Sequence, residues 1–197
     1  DETGVTLSDL NLGGGYGVRY TQEDEAIDIP ARLAELAAYL KEETERLGLP
    51  MPRFLMEPGR SIVADAGMTL YTVGSVKRIP GYKQYAAVDG GMTDNPRYAL
   101  YQSRYTVYHA HKSGSMERFD VVGRCCESGD IIQPGVELPG DTCRGDILAV
   151  CTTGAYNYSM ASNYNRLPRP AVVMLTPDRI YEAVRRETFA DLTGLDL

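Results

Sequence analysis

The chain contains no tryptophan and only three phenylalanines, so its aromatic content falls on 14 tyrosines, rings that keep a hydroxyl at one end and can turn it toward a polar ligand. Basic residues are in deficit. Twenty lysines and arginines stand against 27 acids, a formal charge of −7, which leaves no basic surface to neutralise a run of phosphates and excludes nucleic acid as an expected partner. Long apolar runs are missing as well: the longest, such as Ala171 to Leu175 and Ile147 to Cys151, have five residues, whereas a bilayer-spanning helix needs roughly 18 or more. No membrane segment is expected. The opening Asp1-Glu2 lacks the basic, apolar and small-residue succession of a secretory signal, so the expected location is cytoplasmic. Cysteine is sparse and ill-spaced. Cys125 and Cys126 are adjacent while Cys143 and Cys151 stand alone, which fits neither zinc-binding pairs nor a small disulfide scaffold and implies free thiols in a reducing compartment.

With 197 residues and 43% hydrophobic content the chain fills a core of one domain, or one and a half. Leu33, Leu36, Ala37, Leu40 and Leu47 recur at helical spacing, and Pro30 before them with Gly48 and Pro50 after them predict a helix over Ala31 to Leu47. Short strand-like stretches flank it. Asp9 to Leu12 runs into Gly13-Gly14-Gly15-Tyr16-Gly17, and Arg53 to Met56 runs into Glu57-Pro58-Gly59-Arg60. Strand, glycine loop, helix and strand make one parallel βαβ unit, whose sheet neighbours are missing because a complete (β/α)₈ barrel takes about 250 residues. From Ala66 the texture changes to β. Met68 to Ile79, Tyr82 to Val88, Arg104 to His109, Arg118 to Val122, Asp146 to Cys151 and Ala171 to Leu175 are rich in Val, Ile, Thr and Tyr and separated by turns such as Pro80-Gly81 and Pro139-Gly140. The expected fold is α/β plus all-β: residues 1–65 as the last βαβ portion of a TIM-like barrel, residues 66–197 as an antiparallel β-sandwich or barrel domain. A short helix is expected somewhere in Asp178 to Leu197.

Three glycines ending a strand let backbone N–H groups approach a ligand closely, which suits a phosphate, although a tight turn explains them equally well. No helix follows immediately, so the loop is not a dinucleotide fingerprint. Glu57-Pro58-Gly59-Arg60 sets an acid at the end of the next strand, then a fixed turn, then a guanidinium. Alone, a surface Glu57–Arg60 bridge is the simpler explanation; beside the glycine loop, an acid facing a cationic ring nitrogen and an arginine on an oxyanion become the better one. His109 and His111 share a face of one predicted strand, but no third ligand is spaced to complete a metal site and both are expected at the surface. The acidic stretch Glu23 to Asp28 is expected to be a solvated loop.

Five blocks in order carry a resemblance: Leu12-Gly13-Gly14-Gly15-Tyr16-Gly17, Glu57-Pro58-Gly59-Arg60-Ser61-Ile62-Val63-Ala64, Asp89-Gly90-Gly91-Met92 continuing to Arg97 and Tyr101, Cys126-Glu127-Ser128-Gly129-Asp130, and Gly154-Ala155-Tyr156. On these blocks the sequence resembles the fold-type III pyridoxal-phosphate decarboxylases, and within them the diaminopimelate decarboxylase branch. The resemblance implies pyridoxal 5'-phosphate as cofactor and decarboxylation of meso-2,6-diaminopimelate to L-lysine as activity. Gly13, Gly14, Gly15, Gly59 and Arg60 would hold the cofactor phosphate, Glu57 would face the pyridine nitrogen, and Tyr156 would touch cofactor and substrate. Arg60, Arg97, Tyr101 and Glu127 would contact the amino-acid substrate, and Cys126 would reprotonate the product carbon. Family members place Cys and Glu in the partner subunit's active site, so a homodimer is implied.

The chemistry agrees with those implied roles. Losing CO₂ leaves a carbanion, and a protonated pyridine conjugated to it is an adequate electron sink near neutral pH. A carboxylate keeps such a ring protonated: at about 4 Å and an effective dielectric of about 20, opposite charges attract by roughly 4 kcal/mol before desolvation. A thiol, mostly protonated at neutral pH, is a suitable weak acid. The plain alternatives are a small buried hydrophobe for Cys126, which leaves Glu127 beside it unexplained, and a salt bridge with a core aromatic on a β-strand for Arg97 and Tyr101. Arginines suit the far carboxylate of the substrate, and a site built for a polar group rejects analogues lacking it by about 10⁴. The cofactor-bearing lysine of the family has no counterpart, since Lys41, Lys77, Lys83 and Lys112 match none of its blocks. The chain is therefore expected to be the C-terminal part of such an enzyme, inactive alone. Two other readings stay open: an arginine, ornithine or carboxynorspermidine decarboxylase, and a non-catalytic dimerising or regulatory relative.

Overall fold

The computed structural model describes Gly4 and residues 6–197. It opens with the βαβ unit: β1 (Asp9–Asn11), α1 (Ile29–Leu47) and β2 (Arg53–Leu55), the two strands parallel with Leu10 opposite Phe54. The Asp28 carboxylate accepts from the Ala31 N–H at 3.0 Å and caps α1, so Ile29 and Pro30 join its first turn and the helix starts two residues before the predicted Ala31. Gly48, left-handed at φ 65°, ends it. No residue of α1 is buried, and Leu47 on its apolar stripe is 55% exposed.

A single turn, α2 (Arg60–Val63), leads into β3 (Met68–Ile79), which hairpins to β4 (Lys83–Val88). There follow α3 (Arg97–Tyr101), β5 (Val107–His109), β6 (Met116–Val122), β7 (Ile131–Pro139) and β8 (Ile147–Cys151). The six strands form one sheet in the order β5-β8-β3-β4-β6-β7. Its two edges, β5 and β7, curl back toward each other across a cleft of about 310 Å³ lined by Tyr105, Val107 and residues 133–137, giving a nearly closed barrel. Alternate residues point inward: Tyr71 and Val73, Ala86 and Val88, Phe119 and Val121, Val136 and Leu138, Leu148 and Val150 are buried together as the core.

Three expectations are corrected here. Of the sandwich or barrel expected for the β-region, the six strands form the barrel, and it is not wholly antiparallel, because β4 and β6 run parallel with Tyr85 opposite Asp120 and Ala87 opposite Val122. The strand β7 went unpredicted. Pro134-Gly135 interrupts its pattern, yet a bulge absorbs them: the register slips between Phe119 and Val121, Gly135 takes φ 67°, and its N–H donates to Asp120 Oδ1 at 2.8 Å. Nor is His109 at the surface. Its side chain is 2% exposed, with Nδ1 accepting from the His111 and Lys112 N–H groups and Nε2 lying 3.1 Å from Asp146.

Beyond β8 the chain makes two short 3₁₀ turns, then the hairpin β9 (Val172–Leu175) and β10 (Ile180–Val184), and α4 (Phe189–Thr193), the expected terminal helix. A reciprocal capping box between Thr188 and Asp191 starts α4. Among the described residues no helix is long and apolar enough to cross a membrane.

Candidate functional site

Both strands of the parallel pair end on the same rim, and their loops meet there. The Leu12 N–H donates to the Leu55 carbonyl at 2.9 Å and the Glu57 N–H to the Gly13 carbonyl at 2.7 Å. Gly14 lies so close to this second loop that a Cβ would stand 2.2 Å from the Glu57 carbonyl oxygen, so only glycine fits. Gly13 and Gly15 take φ of 68° and 83°. Asn11, the last residue of β1, donates from Nδ2 to Glu57 Oε1 at 2.6 Å and accepts from the Gly13 N–H at 2.8 Å.

Three residues along, the same turn meets the barrel. A Cβ on Gly59 would lie 4.0 Å from the Tyr156 hydroxyl, the Arg60 guanidinium is 5.4 Å from the Tyr156 ring centroid, and that of Arg97 is 5.3 Å from it. Arg97 also lies 5.4 Å from the Tyr101 ring. Contact between the two units is set by Gly154, whose N–H donates to the Ala64 carbonyl at 2.9 Å and whose missing Cβ would stand 1.8 Å from the Val63 carbonyl oxygen. This contact brings Tyr156, left-handed at φ 68°, over Arg60. Arg97 is 6% exposed, yet no carboxylate among the described residues pairs with it and its Nε has no partner. Its guanidinium makes a long 3.4 Å contact to the Ser103 hydroxyl. A buried guanidinium without an acid is costly unless an anion joins it. Tyr101, next to it on α3, is 62% exposed.

Cys126 and Glu127 lie on the turn between β6 and β7, both exposed. Asp130 builds that turn. Its carboxylate accepts from the Met92 and Cys125 N–H groups, each at 2.6 Å, and occupies the space where Gly91 or Gly123 would carry a Cβ. One buried acid thus binds the Asp89-Gly90-Gly91-Met92 block to the Cys126-Glu127 block. Glu127 Oε2 accepts from the Tyr164 hydroxyl at 3.4 Å, and that carboxylate holds the phenol above its ordinary value. Burial, with Asp130 nearby, pushes the Cys125 thiol up as well. Among the described residues no hydrogen bond or ring contact joins Cys126 or Glu127 to the Tyr156 cluster.

The structure therefore links Gly13, Gly14, Gly15, Glu57, Gly59, Arg60, Arg97, Tyr101 and Tyr156 in one run of contacts, to which Cys126 and Glu127 are joined by no hydrogen bond or ring contact among the described residues. Arg97 and Tyr101 sit on a helix, not the strand of the plain alternative. Three contributors were not singled out from the sequence: Asn11, Asp130 and Tyr164. Asp130 was visible as the last letter of its block, but its partner loop is 38 residues away; Asn11 and Tyr164 carry no local signal at all.

A curled sheet that buries an unpaired arginine next to a glycine loop and a Glu-Pro-Gly-Arg turn defines a sheet domain of the vitamin B6-dependent decarboxylases. The family described as "Pyridoxal-dependent decarboxylase, C-terminal sheet domain" matches residues 18–154, and the chain belongs to it. Within that family it corresponds to the C-terminal portion of the diaminopimelate decarboxylases. It is 50% identical over 190 residues to diaminopimelate decarboxylase of Bacillus subtilis (strain 168), covering 95% of this chain and 43% of that protein. Among solved structures, diaminopimelate decarboxylase from M. jannaschii in co-complex with L-lysine superimposes with a TM-score of 0.88 at 33% identity, over 100% of this chain and 44% of the other. Lysine/ornithine decarboxylase from Vibrio vulnificus, complexed with cadaverine, gives 0.71 at 28% identity over 84% of this chain and 43% of the other. The chain thus spans less than half the length of the relatives it matches.

Proposed function

We propose that this chain forms one wall of the active site of a pyridoxal 5'-phosphate-dependent decarboxylase that converts meso-2,6-diaminopimelate to L-lysine and CO₂. In this reading residues 1–65 are the closing βαβ portion of a TIM-like barrel and residues 66–197 its β-domain. The apolar stripe of α1, nowhere fully buried, and the half-buried parallel pair support it, because parallel strands are covered on both faces in the folds that use them. The observation that carries the reading is Arg97, a buried guanidinium with no acid partner, held against Tyr156 two contacts from the Gly59 turn.

The residues present fit the cofactor. Where Gly14 packs on Glu57 there is no room for a side chain, which leaves the backbone of Gly13, Gly14 and Gly15, with Gly59 and Arg60, as a cradle for its phosphate. Bound there, pyridoxal phosphate supplies a protonated ring that accepts the electron pair left when CO₂ departs. Glu57 would face the ring nitrogen of the bound cofactor and hold a proton on it. Tyr156, packed against Gly59, Arg60 and Arg97, would touch cofactor and substrate. Arg97 and Arg60 bind substrate carboxylate through charge-assisted hydrogen bonds, Arg97 with Tyr101 taking the far one and selecting the longer diacid over lysine or ornithine.

Cys126 donates the proton that replaces CO₂ on the substrate carbon, and Glu127 beside it holds the substrate ammonium. In this reading a second copy of the protein brings that pair to the site, which makes the working unit a homodimer; the missing hydrogen bond or ring contact between the pair and the Tyr156 cluster among the described residues supports it. The cofactor-bearing lysine comes from elsewhere: Lys83 and Lys112 are ion-paired to Asp120 and Asp146, and Lys41 and Lys77 are exposed on α1 and β3. Residues 1–197 alone are expected to release no CO₂.

The test is a substrate panel. The intact protein is assayed for CO₂ release from meso-diaminopimelate, ornithine and arginine, with Arg97→Ala beside it. The expected result is preference for the diacid and a fall of about 100-fold in kcat/KM for it in the variant, the size of one lost charge-assisted contact. Equal turnover of all three substrates, or an unaffected variant, would refute the assignment.

A further inference from the structure

The geometry points to Asn11 as a positioning residue that aims Glu57 at the cofactor ring nitrogen while pinning the glycine loop; the inference rests on the function proposed above. Asn11 ends β1, opposite Leu55 in the parallel register, so it sits level with a residue two before Glu57 on the neighbouring strand. Its amide makes two bonds of opposite sense: Nδ2 donates to Glu57 Oε1 at 2.6 Å, and Oδ1 accepts from the Gly13 N–H at 2.8 Å. The chemistry of the neighbours fixes that orientation. A backbone N–H only donates and an ionised carboxylate only accepts, so the bridging group must offer an acceptor on one side and a donor on the other. An amide of this length does both. Aspartate would satisfy Gly13 but turn an oxygen on Glu57.

With Oε1 occupied, the other oxygen of Glu57, Oε2, has no hydrogen-bond partner among the described residues and is left for the ring N–H. The backbone closure of the two loops, the Glu57 N–H on the Gly13 carbonyl at 2.7 Å, does not involve the Asn11 side chain. Replacing that side chain therefore leaves the loops joined and frees the carboxylate to swing. The sequence pattern strand-Asn-Leu-Gly-Gly-Gly thus joins the two halves of the cofactor site through one side chain.

The test uses the intact protein and two probes, pyridoxal phosphate and its 1-deaza analogue, which has carbon in place of the ring nitrogen; equilibrium affinity for each is read by absorbance titration. Asn11→Asp is the principal variant, since it is isosteric and keeps the Gly13 acceptor, and Asn11→Ala is the second. Asn11→Asp is expected to weaken pyridoxal phosphate about tenfold, the size of a charge-assisted hydrogen bond, and to leave the analogue unchanged, while Asn11→Ala, which also frees the Gly13 N–H, is expected to weaken both, pyridoxal phosphate about tenfold more than the analogue. Equal loss for both probes would overturn the inference, showing that Asn11 serves only the loop, as would no loss for either. Glu57→Ala separates the two claims. If it discriminates between the probes and the Asn11 variants do not, the positioning role alone fails; if Glu57→Ala binds both probes as the parent does, the proposed role of Glu57 fails with it.

Discussion

A carboxylate that accepts two short backbone hydrogen bonds from loops far apart in sequence holds more than its own turn, and Asp130 is the clearest case in this protein. Removing it strands the Met92 and Cys125 N–H groups and opens space that Gly91 and Gly123 were shaped to leave. Asp130→Ala is expected to lower stability by about 2–4 kcal/mol, read from the urea midpoint, since unpaired buried donors carry their full desolvation cost. A change within error would show that water replaces the carboxylate without loss. At this scale the sequence was informative wherever a residue type has one chemical use. Glycines beside an acid and an arginine were legible because few side chains can hold an oxyanion. Arg97 was legible only as part of its block, because burial without a partner is a property of the fold. Asn11 and Tyr164 act through neighbours that no local pattern reveals.

Elements were readable where their ends are marked. Pro30 and Gly48 bracket α1, and the Gly67 and Pro80 neighbourhoods bracket β3, whose span came out as Met68–Ile79. Pairing was not readable: nothing in the period-two pattern of β4 and β6 says that they lie side by side in parallel, and Pro134-Gly135 concealed β7 by mimicking a turn. The five-residue α3 is too short for a helical period to show. The β9–β10 hairpin, exposed on most of its apolar residues, is tethered at its base by Glu187. That carboxylate accepts from the Arg169 Nε at 2.7 Å, the Arg169 N–H at 2.8 Å and Asn163 Nδ2 at 2.7 Å, and the Arg169 guanidinium first, then its N–H, bring it down from near 4.5 to about 2. A depressed carboxylate contributes stability that is full above its unfolded value and is lost as pH falls through the folded one. The tether is therefore expected to hold above pH about 4.5 and to release as the pH drops toward about 2. Carboxyl-carbon NMR of Glu187 should show its midpoint near the lower value; a midpoint near 4.5 would mean the carboxylate is free in solution.

At the scale of the whole molecule, a nearly closed barrel with an apolar core contrasts with a βαβ unit whose helix has no fully buried residue. Family membership explains the first and the proposed TIM-like barrel the second. Among the described residues no hydrogen bond or ring contact joins the Tyr156 cluster to Cys126, and the function proposed above has a second copy of the protein bring them together. Subunit complementation tests this most directly. Two variants of the intact protein, Glu57→Ala and Cys126→Ala, are purified separately, then mixed and re-equilibrated, and CO₂ release from meso-diaminopimelate is measured. Each alone is expected to be nearly inactive, and the mixture to recover about a quarter of the parent activity, because half the dimers then carry one intact site in a two-fold assembly. A mixture no more active than its components, or full activity in Cys126→Ala alone, would contradict a site shared between two copies of this chain.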